Sequence, residues 1–315
     1  MNLLVTGGSG FIGSNFIEST INKKKVCKLV NLDVLSYAGN LDNTKEFESH
    51  SKYFFNKVDL RNFSEVFDTF YKHDITHVIH FAAESHVDNS ITAPDIFVES
   101  NIIGTFNLLK VCRHFKIRRL HHVSTDEVYG QLGKKGKFTE SSPYDPRNPY
   151  SASKAAADFL VKSFIHTYGL PATISNCCNN FGPKQHDEKF IPTVINSILY
   201  ESKIPVYGKG ENVRDWIYVK DHCEALWTVL TKGKVGEMYL VGADCEKTNL
   251  QTINKICKLM NVDPQEHISF VKDRVSHDFR YAIDNKKILK ELKWKPKTSF
   301  SEGIKKTIDW YEKKY

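Results

Sequence analysis

The sequence predicts an α/β protein, a doubly wound parallel sheet followed by a smaller, mixed α/β C-terminal domain. Three observations predict it. The first half alternates short β-branched or leucine-rich runs with longer helical patterns. A glycine cluster, Thr6-Gly7-Gly8-Ser9-Gly10-Phe11-Ile12-Gly13, joins the first such run to the first helical pattern. Beyond about Asn180 the texture changes, with Pro183, Pro192 and Pro205 cutting the chain into shorter pieces.

Leu3-Leu4-Val5 reads as a strand and Phe11 to Asn22 as a helix. Lys28 to Leu32 is the next strand, Phe63 to Tyr71 a helix, and Val78 to Phe81 a strand. Pro94 opens a helical pattern running to about Phe115, and Leu120 to Ser124 is again a strand. Asn148-Pro149 reads as an N-cap with proline at the first helical position, heading a helix to about Tyr168. Such alternation implies β-α-β units and a parallel sheet covered by helices. Later, Asp221-x-x-Glu224 and Ser299-x-x-Glu302 read as capping boxes. The expected division is 1–180 for the first domain and 181–315 mainly for the second, with a segment near 215–243 returning to the first.

Composition narrows the function classes. Apolar residues make up 41% of 315 residues and charged residues 26%, enough for a full core and against disorder. No run approaches the length of a membrane span, and MNLLVTGGSG carries no signal-peptide pattern. The net charge of +7 is scattered over lysines rather than focused on one surface, so neither nucleic acid nor membrane is expected as a partner. The seven cysteines contain no C-x-x-C pair. No disulfide framework and no metal site is expected, and a reducing cytoplasm fits best.

Gly8, Gly10 and Gly13 match G-x-G-x-x-G, and Gly7, Gly10 and Gly13 match its spaced variant. Between a strand and a helix, such glycines let the backbone approach a pyrophosphate at the helix N-terminus. Asp33 ends the second strand 20 residues after Gly13, where a carboxylate accepts hydrogen bonds from an adenosine ribose. Residues 31–40 contain no basic side chain to meet a 2′-phosphate, so the expected cofactor is NAD. This is the Rossmann pattern.

Tyr150 and Lys154 stand four residues apart on a predicted helix and so share a face. A lysine ammonium and a positive nicotinamide ring beside the phenol both favour the phenolate, which can then take a proton from a sugar hydroxyl. Thr125, at the end of a predicted strand, adds a hydroxyl. Histidines 73, 77, 80, 114, 121 and 122 fall on separate elements and read as structural.

With these motifs the sequence resembles the extended short-chain dehydrogenase/reductase family, and within it the nucleotide-sugar 4,6-dehydratases of the dTDP-glucose type. The resemblance spans nearly the whole chain. It carries TGGSGFIGSN at 6–15, LDVLSYAGNL at 32–41, HFAAESHVDNS at 80–90, STDEVYG at 124–130 and YSASK at 150–154. It continues through NCCNNFGP at 176–183, VYGKGENVRDWIYVKDH at 206–222 and DRVSHDFRYAID at 273–284. The resemblance implies a lyase. Oxidation at C4 makes the C5 hydrogen acidic, Glu127 removes it as base, and Asp126 protonates the departing C6 hydroxyl as acid. Hydride then returns to C6, so NAD ends unchanged and stays bound.

Matching positions imply that Phe11, Ile12, Asp59, Leu60 and Ala82 complete the cofactor site. They assign Ser85, Asn180, Glu188, Lys189, Pro205, Tyr207, Arg214, Asn249, Arg274 and His277 to the nucleotide sugar, a dTDP-sugar or a UDP-sugar. A homodimer packed through helices near 94–115 and 149–168, and a deoxysugar product such as a rhamnose precursor, are further implications. A 4-epimerase is the alternative that the paired carboxylates disfavour. Two departures stand out. Arg274-Val275-Ser276-His277-Asp278 replaces the usual Arg-Pro-Gly-His-Asp, and Asn176-Cys177-Cys178-Asn179-Asn180 replaces Asn-Cys-Ser-Asn-Asn.

Overall fold

The structure is a computed structural model that describes residues 1–273 and 278–314. Its strands are β1 (Asn2–Thr6), β2 (Lys28–Asp33), β3 (Tyr53–Lys57), β4 (His77–His80), β5 (Arg119–Thr125), β6 (Ala172–Cys177), β7 (Asn179–Phe181), β8 (Ile204–Tyr207), β9 (Val213–Tyr218), β10 (Met238–Val241), β11 (Glu246–Thr248) and β12 (Ile268–Val271). Seven of them form one sheet of order β10-β6-β5-β4-β1-β2-β3, with every neighbouring pair parallel. The order reverses between β1 and β4, and the crevice above their carboxyl ends is where such sheets bind ligands.

The long helices are α1 (Phe11–Thr20), α2 (Phe63–His73), α3 (Val87–Thr92), α4 (Pro94–Phe97), α5 (Gly104–His114), α6 (Pro149–Tyr168), α7 (Phe190–Leu199), α8 (Val219–Lys232) and α9 (Asn249–Leu259), followed by α10 (Pro264–His267), α11 (Lys286–Leu292) and α12 (Phe300–Lys314). Strand residues alternate between two buried faces. Leu4, Val30 and Val78 meet Phe70, Leu108 and Val161 of α2, α5 and α6. Leu3, Val5, Leu29 and Ile79 meet Phe16 and Ile17 of α1 and Val219 and Leu226 of α8. A strand buried on both faces has no polar alternation, which is why these runs read as continuously apolar.

The smaller region holds a mixed sheet, β11-β9-β7, and a parallel pair, β12-β8. Phe181, Ile191, Trp216, Ile253 and Ile304 form its core with α7, α9 and α12. α8 and β10, between β9 and β11 in the chain, belong to the large sheet's layers.

Three sequence readings change. The helix expected from Pro94 to Phe115 is α4, a π-turn over Val98–Ile103, and α5. Asp221 caps no helix, because α8 already starts at Val219. Its carboxylate instead accepts the amides of Lys297 (3.0 Å) and Thr298 (2.7 Å) and so moors the chain ahead of α12. Ser299 does accept the Glu302 amide at 3.3 Å, but Glu302 itself reaches Lys306. The Asn148 cap forms as expected, as a capping box with Ser151, and α6 ends at Gly169 in the left-handed region.

Candidate active site

The glycine loop after β1 is shaped by contact. Gly7 has φ +70°, and a Cβ there would lie 2.7 Å from the Ala82 amide nitrogen. A Cβ on Gly13 would stand 2.2 Å from the Gly7 carbonyl, so α1 can sit directly on the loop only with glycine there. Gly10 differs: a Cβ would meet only the Gly7 oxygen, at 3.4 Å, and would otherwise project into open space. No side chain caps α1. Uncapped amides at a helix N-terminus beside an open cradle fit a pyrophosphate.

That cradle opens into a cavity of about 340 Å³. Gly7, Gly10, Phe11, Ile12, Gly13, Asp33, Asp59, Leu60, Ala82, Thr125, Glu127, Tyr150 and Lys154 all line it, so every residue expected to hold the cofactor faces one space. Asp33 is buried and accepts the amides of Ser9 (2.9 Å) and Leu35 (2.8 Å). Burial still holds its carboxyl above the usual range, against those two amides. These residues fit NAD.

A second cavity of about 280 Å³ adjoins the first. Ser85, Glu127, Asn179, Asn180, Gln185 and Lys189 line both. Glu188, Pro205, Tyr207, Arg214 and Asn249 line the second, as expected. Arg274 and His277, with the Val275-Ser276 departure, lie outside the described residues. Arg214 is a held fork: its Nη1 donates to the Val213 carbonyl (2.8 Å) and its Nη2 to that of Asp278 (2.9 Å), 4.5 Å above the Tyr281 ring. Asn180 is fixed by buried His222, whose Nδ1 lies 2.8 Å from Asn180 Oδ1. Lys189 Nζ donates to the Ser85 carbonyl at 3.1 Å.

The chemistry-bearing residues gather where the two cavities meet. β5 ends at Thr125, and a 3₁₀ turn, Asp126–Tyr129, begins there with the Thr125 hydroxyl accepting the Glu127 amide at 3.2 Å. Thr125 is also hydrogen-bonded to the Tyr150 phenol from the first turn of α6. Lys154 is buried, and its Nζ donates to the Val123 carbonyl at 2.9 Å. One expectation changes here. Burial, then Glu127 and Cys177, push the Tyr150 phenol well above its ordinary value, and the Thr125 hydrogen bond only partly offsets them. The chain's own residues therefore hold Tyr150 as a phenol.

The carboxylates differ. Glu127 faces both cavities; burial raises its carboxyl while Arg214 and Lys189 pull it down, and the net shift is upward. Asp126 lines neither cavity. It is buried beside Thr125, whose Oγ1 lies 3.5 Å from its Oδ1, and its Oδ2 has no hydrogen-bond partner among the described residues. Burial, then Glu127 and Asp215, drive its carboxyl well above the carboxylate range. Both carboxyls are raised, but Arg214 and Lys189 act against the rise at Glu127, whereas at Asp126, Glu127 and Asp215 add to it, the kind of difference in surroundings that separates a base from an acid.

A raised carboxyl means that the folded state binds the proton more tightly than the unfolded chain, so stability falls as pH rises past the ordinary aspartate value. Asp126→Asn, a neutral mimic, is expected to stabilise the fold at neutral pH by on the order of 1–3 kcal/mol. Thermal unfolding followed from neutral to acid pH checks this: the gain should shrink towards zero below about pH 4.

The sequence reading did not single out Asn148, Asn179, Gln185, Trp216, Asp278 or Tyr281, which also line the second cavity. Asn179, Trp216, Asp278 and Tyr281 sit inside motifs that were legible, Asn148 was read there only as a helix cap, and Gln185 arrives by tertiary packing alone. Of the histidines, His80 and His122 do meet, with ring centroids 5.2 Å apart across β4 and β5. Cys178 is buried, and burial pushes its thiol up, as befits a packed residue. All seven cysteines are free thiols, and no group of three or more metal-ligating side chains occurs among the described residues.

A Rossmann sheet with a glycine cradle, Tyr150 and Lys154 one turn apart and a hydroxyl at the strand end define an extended short-chain dehydrogenase/reductase. Residues 4–307 match the family model described as GDP-mannose 4,6 dehydratase, and the chain belongs to that family. It is 47% identical to a dTDP-glucose 4,6-dehydratase of Xanthomonas campestris pv. campestris, covering 98% of this chain and 92% of that protein. DesIV, a dTDP-glucose 4,6-dehydratase of Streptomyces venezuelae solved with NAD and TYD bound, superposes with a TM-score of 0.96 at 39% identity, covering 99% of this chain and 97% of DesIV. The UDP-glucose 4-epimerase of Thermotoga maritima, solved with UDP-glucose, superposes at 0.92 with 26% identity, covering 100% and 99%.

Proposed function

We propose that this chain dehydrates dTDP-glucose to dTDP-4-keto-6-deoxyglucose with a retained NAD. The observation that carries the reading is the Thr125-Asp126-Glu127 turn, set against Tyr150 where the two cavities join. The residues lining the first cavity would hold NAD, which would supply the acceptor and later the donor of the hydride that links C4 to C6, and a positive charge that favours the Tyr150 phenolate.

Tyr150, a phenol in the chain alone, takes the proton of the C4 hydroxyl with Thr125 once the positive charge of a bound cofactor has favoured its phenolate. Lys154 stands one turn along α6 with its charge at the end of β5. Glu127 then withdraws the C5 proton, and a raised carboxyl makes it a stronger base than an ordinary glutamate. Asp126, kept protonated, is the acid for the C6 hydroxyl that leaves as water, a role that requires its side chain to turn from the buried position beside Thr125 towards the sugar. Arg214 and Lys189 meet the diphosphate, Asn180 and Asn249 orient it, and Pro205 and Tyr207 flank the base. Residues 1–180 with α8 and β10 act as the NAD-binding part, and the rest of 181–315 holds the nucleotide sugar.

Incubation with dTDP-glucose and UDP-glucose in separate vessels, without added NAD, tests the reading. Loss of one water mass from dTDP-glucose, faster than from UDP-glucose, is expected. Unchanged mass with inverted C4 stereochemistry would instead identify a 4-epimerase, the activity of a protein of the same fold.

The chain acts as a homodimer, in the cytoplasm, supplying a deoxysugar such as rhamnose. Support for the dimer comes from Ile96, Val98, Ile103 and Phe106 on α4, the π-turn and α5, and Phe159 on α6, all exposed. Phe159→Glu with Ile103→Glu should convert a dimer to a monomer by sedimentation. A wild-type monomer would refute the dimer. No helix among the described residues is long and apolar enough to cross a membrane.

A further inference from the structure

Asp158 is fully buried on α6, one turn beyond Lys154, and has no part in the chemistry above. Its surroundings are nonetheless built for a charge. Oδ2 accepts hydrogen bonds from Ser124 Oγ (3.0 Å), Tyr144 Oη (2.8 Å) and Asn176 Nδ2 (3.2 Å). Oδ1 lies 3.2 Å from Nε2 of buried His122, an ion-pair distance outside hydrogen-bond geometry, so the hydrogen bonds all fall on Oδ2. Ser124 and Asn176 are register partners on β5 and β6, so the sheet itself presents both donors side by side. A neutral acid needs no such set of donors; a buried carboxylate does. Burial works against ionisation of Asp158, but His122, Lys154 and Tyr144 outweigh it and hold the carboxyl below its ordinary range.

Lys154 stands one turn away on the same helix, its Nζ bonded to the Val123 carbonyl rather than to Asp158, and its ammonium is held below the ordinary lysine range. Burial pulls this lysine down, and Asp158, followed by Cys177, pushes it up. The other titratable groups packed around the pair come from every neighbouring element. His80 on β4 and His121 on β5 are lowered by burial, and so is His122 on β5, although Asp158 pulls it the other way. Tyr129 and Tyr144, from the segment between β5 and α6, are pushed up by burial. Cys177 on β6 is pushed up to about 12 by burial. Lys162 on α6 is lowered by burial, and Tyr150 was described above. Asp126 and Glu127, the other carboxyls near Tyr150, are pushed up by burial, whereas Asp158, one turn from Lys154, is held down as a carboxylate.

We propose that Asp158 is a positioning residue that keeps Lys154 an ammonium at the end of β5, its own charge fixed by Ser124, Tyr144, Asn176 and His122. The inference rests on the reading of Lys154 as part of the proton and cofactor machinery. It gives a purpose to Ser124 and Asn176, polar side chains on strands buried from both faces.

The test is Asp158→Asn, loaded with NAD. Its first readout, made without sugar, is the 15Nζ NMR titration of Lys154. Lysine deprotonation is expected at lower pH than in the parent, by roughly one to three units. The second readout is the basic limb of kcat against pH, which should shift the same way while KM changes less than a few-fold. Equal loss of kcat at every pH, with the lysine titration unmoved, would overturn the proposal and leave Asp158 a packing residue. If the asparagine variant does not fold, the reciprocal experiment decides. In Lys154→Met, the Asp158 13Cγ resonance should titrate at higher pH than in the parent, and an unmoved titration would overturn the proposal. A lysine titration that moves in a protein turning over no sugar nucleotide would sink the proposed function alone. An unmoved one in a protein active on dTDP-glucose would sink the role of Asp158 alone.

Discussion

Glu127→Gln should yield a protein that oxidises dTDP-glucose once and stops. Glutamine keeps the shape of the side chain facing both cavities but cannot accept the C5 proton. Oxidation at C4 uses Tyr150 and Thr125, which the substitution leaves in place. The expected observation is near-stoichiometric absorbance of reduced nicotinamide on mixing, with overall turnover down by about 10²–10⁴-fold. Normal turnover in this variant would remove Glu127 from the role of base. Because Arg214 and Lys189 both act on Glu127, losing its charge should not weaken sugar-nucleotide binding and could tighten it by freeing those cations for the diphosphate.

Tyr150→Phe should block the earlier step. The phenol is the group placed to take the C4 proton, and its hydrogen bond with Thr125 is lost with it. Turnover is expected to fall by about 10²–10⁴-fold with no reduced nicotinamide formed at any time. Binding of dTDP-glucose, followed by calorimetry, should change little, because Arg214 and Asn249, proposed to meet and orient the diphosphate, line the second cavity and Tyr150 only the first. The two variants thus fail on opposite sides of one step. Reduced cofactor accumulating in the phenylalanine variant would contradict the assignment of Tyr150.

Some elements declared themselves in the amino-acid order because their physics is one-dimensional. β1, β2 and β4 are buried on both faces and read as largely apolar runs, β5 was legible from Leu120 and Val123 despite its two histidines, and the Asn148 cap is a local hydrogen bond. β6 did not, since Thr173, Ser175 and Asn176 occupy a fully buried strand. They are there to serve His121, at 2.9 Å from both Thr173 Oγ1 and Ser175 Oγ, and Asp158, partners that no local pattern reveals. β3 was missed because, at the sheet edge, its outer positions are half-buried or exposed. In the site, the glycine loop, Asp33, Thr125, Tyr150 and Lys154 were legible because each lies at an element boundary with fixed spacing. Trp216 and Tyr281 lie in legible motifs, but that their rings line the second cavity depends on tertiary packing that no local pattern reveals. The depth of Asp126, away from both cavity walls, was also invisible: adjacent residues in a 3₁₀ turn point apart, and sequence adjacency to Glu127 says nothing of that.

The central claim is a closed redox cycle in which hydrogen leaves C4 and returns to C6 of the same sugar. dTDP-glucose deuterated at C4, turned over without added cofactor, tests it most directly. The account predicts a product lighter by one water, with the deuterium retained in its C6 methyl group. Deuterium lost to solvent or found in released cofactor, or a product of unchanged mass, would contradict it.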